Sequence, residues 1–160
     1  MPTAPAGGAQ ARPQTRKRID DMLAERQQML VLLWELSKLD LDTIDEPVLK
    51  LLEDFEELLV DYIAAGHFGL YQRLGEGTER RQPVLDVARE IYPRIARSTD
   101  VAIDFSERYD NPAAAPLRTR LPSDLSRLGE ELATRIELED RLILAMLGSD
   151  FPVPQTDTRS

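Results

Sequence analysis

His67 is the only histidine of this 160-residue chain, and there is no cysteine. An imidazole can ligate a metal or carry a proton. A metal site in a helical protein, however, draws several His and carboxylate side chains from facing helices. His67 is therefore read as a bend-site histidine bonded to a neighbouring backbone or carboxylate group, with no metal and no cofactor. Arg135 and Glu139 stand four residues apart near the apolar face of a predicted last helix, and Asp140 follows. Such a trio is either an inward polar cluster or an intrahelical ion pair worth about 0.2–0.5 kcal/mol, and the second is the plainer reading. No nucleophile–base pair, Gly-rich phosphate loop or metal motif is present. The chain is read as a non-enzyme, with a base role for Glu139 or Asp140 ranked last.

Charge is the stronger clue. Between Asp40 and Asp61 stand nine acids and one base, Lys50, so this stretch carries −8 of the chain's net −9. Glu53, Glu57 and Asp61 are spaced four apart, and like charges at that spacing cost a helix tenths of a kcal/mol per pair. A solvated helix face is one explanation, and a surface for a basic partner is the other. Asp61 stands beside Tyr62, and a carboxylate next to an aromatic suits an arginine: a bidentate bond to the acid, with the ring against the guanidinium. An acidic chain should avoid nucleic acid, whose binders cluster Lys and Arg.

Four amphipathic helices must position these groups. The first spans about Thr15 to Ser37, capped by Thr15, with Ile19, Met22, Leu23 and Met29 at helical spacing. Trp34, late in it, is expected in the core. The second opens at Asp45 with Pro47 in its first turn and carries the cleanest apolar stripe. It bends near Gly66 and Gly69, and Phe68, Tyr71 and Leu74 continue it to a close at Gly75 and Gly77. The third runs from about Pro83 to Arg108 and is kinked by Pro93. A loop is expected from Asp110 to Pro122. The fourth runs from about Ser123, its cap, to Leu147. The fold class is all-α: an up-down four-helix bundle with kinked helices over residues 15–148, between disordered tails at 1–14 and 149–160. No window reaches the roughly 18 apolar residues of a membrane span. The N-terminal residues lack a signal peptide's apolar core. A cytoplasmic monomer or weak dimer is expected.

The run Leu59-Val60-Asp61-Tyr62-Ile63-Ala64-Ala65-Gly66-His67-Phe68, with Tyr71 after it, resembles the Rsd/AlgQ family. The opening-helix residues Ile19-Asp20, Leu23 and Glu25-Arg26-Gln27-Gln28 agree. So do Ile91-Tyr92-Pro93 and the block Arg135 to Asp140 followed by Leu142-Ile143. The resemblance covers about residues 15–147. Asp21 and Met22 stand where the family commonly has Arg-Trp, and Ile136 replaces an aromatic. The resemblance implies an anti-sigma factor that binds region 4 of the primary sigma factor and blocks that region from core RNA polymerase and the −35 promoter element. It implies the partner-contacting role for Asp61, and support of the binding surface for Asp20, His67 and Tyr71. Tyr62 and Phe68 are expected to add apolar contact there, and Glu57 further charge. Two rival readings stay open: a hemerythrin-like metal- or oxygen-binding bundle, and an adaptor for another basic protein.

Overall fold

The computed structural model describes residues 6–40, 43–72, 77, 79–110 and 117–148, with side chains from residue 14 in the first helix and from 119 in the last. Helix α1 is Ala6–Lys38, α2 is Glu46–Gly66, α3 is Gln82–Arg108 and α4 is Leu117–Leu147. Among the described residues there is no strand. The largest packing interfaces are α1 on α2 and α3 on α4, and contacts of α1 with α4 and α2 with α3 close the ring. Gly66 lies against Met22 and Gly69 against Arg18, so α1 and α2 run antiparallel. The pairs Ser98–Arg135 and Arg108–Asp124 set α3 and α4 antiparallel in the same way.

Local chemistry explains most boundaries. Asp45 caps α2, its Oδ1 accepting from the Val48 amide at 3.2 Å, an arrangement worth about 1 kcal/mol. Pro47 sits in that first turn, where no amide hydrogen is needed. The Glu79 carboxylate accepts from the Arg80 and Arg81 amides at 3.1 and 3.0 Å. Arg81 then donates to the Met146 carbonyl, tying the start of α3 to the end of α4. Pro93 lies inside α3 and leaves the Arg89 carbonyl without its helical donor. Its ring is exposed while Ile91 and Ile95 are buried.

Two helix starts differ from expectation. Helix α1 starts at Ala6, so Thr15 is no cap and the stretch read as a tail is helical from Ala6. Helix α4 starts at Leu117, which places Pro122 and Ser123 inside it. Ser123 Oγ donates back to the Arg120 carbonyl and does not cap, and buried Leu121 anchors this early turn. At the end of α2 the chain continues past Gly66 and Gly69, as their flanking spacing implied, through a π-helical turn, His67–Tyr71. Leu74, Gly75 and the two chain ends, 1–5 and 149–160, lie outside the described residues.

Candidate functional site

A buried ionic centre joins all four helices. Glu139 of α4 accepts from three donors: Arg135 Nε at 2.9 Å, Arg26 Nη2 at 3.1 Å and the Tyr62 hydroxyl. Arg26 Nη1 lies 2.9 Å from Asp140. Arg135 Nη1 donates to Ser98 and Thr99 of α3 at 2.9 and 2.8 Å. Tyr62 and Tyr71 place their rings 5.6 and 5.9 Å from the Arg135 guanidinium, within cation–π range. Two guanidiniums thus face two carboxylates. Burial opposes charge on Arg26 and Arg135, but Glu139 and the other neighbours outweigh it and raise both. Burial, then the Glu139 charge, holds the Tyr62 and Tyr71 hydroxyls well above the ordinary phenol range. Arg135 and Glu139 therefore make the intrahelical ion pair that their spacing suggested, and that pair is also part of an inward polar cluster. Arg26 completes it and was missed in the sequence. Its register with Ile19, Met22 and Met29 on one helical face was the available signal.

The surface is built differently. Glu53, Glu57, Val60, Asp61, Ala64, His67 and Phe68 are all exposed and fall on one stripe of α2 and its π turn. The stripe is acidic at its N-terminal half and apolar toward Phe68, which is 56% exposed. His67 meets Phe68 edge-on at 5.0 Å. Asp20 of α1 is exposed as well. Tyr62 and Tyr71, expected on this surface, are instead interior, Tyr62 at 0% exposure. Consecutive helical residues point about 100° apart, so an exposed Asp61 turns Tyr62 inward. Trp34 reverses the other way: expected in the core, it is 61% exposed, with Lys38 Nζ 3.9 Å from its ring centre.

Between α2 and α3 the stripe borders an apolar groove of about 510 Å³. Buried Leu59 and Ala102 lie beneath it, and Val60, Phe68 and Ile103 are its exposed apolar side chains. Glu107 lines it too, and Asp100 and Asp104 are exposed on the same helix. Among the described residues no group of three His, Asp or Glu is placed to hold a metal ion, and no helix is long and apolar enough to cross a membrane.

The chain is a four-helix bundle with an open apolar groove beside an acidic stripe, over an interior fixed by ion pairs. The family model described as "Regulator of RNA polymerase sigma(70) subunit, Rsd/AlgQ" matches residues 8–147. The chain belongs to the Rsd/AlgQ family, a family of regulators and not of enzymes. It is 30% identical over 149 residues to "Regulator of sigma D" of Enterobacter sp. (strain 638), covering 89% of this chain and 88% of that protein. Proteins of the same name from Yersinia enterocolitica and Shigella dysenteriae are 35% and 36% identical over 96 and 106 residues. Those two alignments cover 59% and 61% of this chain, and 58% and 62% of the relatives. No solved structure matches the chain significantly.

Proposed function

We propose that this protein is an anti-sigma factor that binds region 4 of the primary sigma factor in the cytoplasm, as a monomer or weak dimer, and keeps that region from core RNA polymerase and the −35 element. The observation that carries the reading is the exposure of Asp61 in line with Glu53 and Glu57. A helix-turn-helix that reads DNA is basic because its Arg and Lys contact phosphates. A row of carboxylates competes for those side chains, so the action is occlusion. Asp61 receives an arginine of the partner, Glu57 and Asp20 add steering charge, and His67 and Phe68 supply contact from which water is excluded. Tyr62 and Tyr71 act from beneath, by fixing the interior.

The test is titration of purified sigma region 4 against the parent and Asp61→Arg. The variant is expected to lose about 2–4 kcal/mol of binding, with an unchanged circular dichroism spectrum because the side chain is exposed. Binding by the parent should also weaken as salt is added. Equal affinity of the two proteins removes the role from Asp61.

A further inference from the structure

The α2–α3 groove has the dimensions of a helix seat. Its α2 wall runs from Leu59 to Phe68 and its α3 wall from Thr99 to Glu107. At 1.5 Å per residue these walls are about 14 and 12 Å long, between two and three turns of a docked helix. The small side chains Ala64, Thr99 and Ser106 leave the space open, and Val60, Phe68 and Ile103 offer it apolar contact.

The charges around the groove are of one sign. Glu57 and Asp61 lie next to its α2 wall, and Asp100 and Glu107 belong to its α3 side. One turn before Val60, a buried oxygen of Glu56 has no hydrogen-bond partner. Asp110 and Glu53 lie near that carboxyl.

We propose that this groove seats an amphipathic helix of the partner, aliphatic on the side that enters and bearing Arg or Lys on both flanks. Insertion of an apolar helix face into such a trough is a common recognition mode. Carboxylates on both walls select basic flanks and reject acidic ones. The proposal rests on the sigma-factor reading and deepens it: Asp61 is one edge of a two-walled seat, and α3 contributes the other.

The experiment titrates sigma region 4 against the parent, Asp61→Arg, Ala64→Trp, Ile103→Ser and Leu144→Ala, each checked by circular dichroism. Leu144 is an exposed apolar residue of α4 outside the groove. Ala64→Trp fills the trough and is expected to weaken binding tenfold or more, at roughly 1.4 kcal/mol per tenfold. Ile103→Ser should weaken it several-fold, and Leu144→Ala should match the parent. If Asp61→Arg loses binding while Ala64→Trp and Ile103→Ser keep parental affinity, the groove is not the seat and the sigma-factor reading stands. If the parent does not bind region 4, both fall. Loss of folded structure in Ala64→Trp leaves Ile103→Ser to decide.

Discussion

Arg135 donates to Thr99 at 2.8 Å, and Thr99 also lines the α2–α3 groove. The ionic interior and the outer trough therefore share one side chain. A threonine held by a buried guanidinium on one side and by the Ile95 carbonyl at 3.2 Å on the other has little rotamer freedom. The groove is pre-shaped by the core, which reduces what a partner must order when it binds.

Glu139 should be the costliest single charge to remove. It holds three donors at essentially no exposure. Glu139→Gln leaves Arg26 and Arg135 with Asp140 as their remaining carboxylate in the centre, and breaking a buried pair in this way costs about 3–5 kcal/mol. Urea unfolding of Glu139→Gln, Arg135→Met and the double variant is the measurement. The double variant should lose less than the two single losses combined, because they share one interaction. Strict additivity would contradict the shared centre.

Glu56 predicts a pH dependence of opposite sign to the usual carboxylate. Burial first, then the Asp110 and Glu53 charges, push its pKa from 4.5 up to about 8. The folded state thus prefers the protonated form. That contribution is fully present below the unfolded pKa and is lost as pH rises through about 8. Glu56→Gln keeps the neutral form at every pH. It should be more stable than the parent by about 1–2 kcal/mol near pH 9, after allowance for solvent screening of a partly exposed group. The difference should vanish near pH 4. Denaturant melts at the two pH values check this, and a constant offset between the proteins would refute it.

Two glycines should respond oppositely to one methyl group. A Cβ on Gly69 would stand 3.2 Å from the Arg18 backbone carbonyl oxygen, whereas one on Gly129 meets nothing within 4 Å. Gly129→Ala should stabilise the middle of α4 by about 0.5–1 kcal/mol. Gly69→Ala gains the same propensity but forces α1 and α2 apart, a strain of about 1–3 kcal/mol, so a net loss is expected. Thermal unfolding of the pair gives the comparison.

Periodicity and end signals revealed the parts of the fold governed by local rules. Asp45 with Pro47 marked the start of α2, and the stripe from Val48 to Tyr62 marked its inner face. Pro122 misled because proline was read as a stop, whereas α4 runs through it as its sixth residue, without the bond that an amide there would give to the Arg118 carbonyl. The outer stripe was legible as charge. The inner centre was only half legible, because a four-residue spacing says that Arg135 and Glu139 can pair, not that α1 and α3 will enclose them. Tyr62 was misplaced by adjacency in sequence, although its place in the apolar stripe already turned it inward. The groove left no sequence signal, since its two walls come from helices whose pairing is tertiary.

Gly66 has a consequence for descent as well as for packing. A Cβ there would lie 3.4 Å from Arg135 Nη2 and 3.5 Å from Glu139 Oε2, ordinary van der Waals distances. Alanine can therefore be accommodated at this spot, but a branched or longer side chain would occupy the volume that the two charged groups fill. Lineages that keep the arginine and glutamate are confined to the two smallest residues at position 66. A homologue with valine or leucine there should have lost the pair, so that the residue at this one position sorts ionic interiors from oily ones.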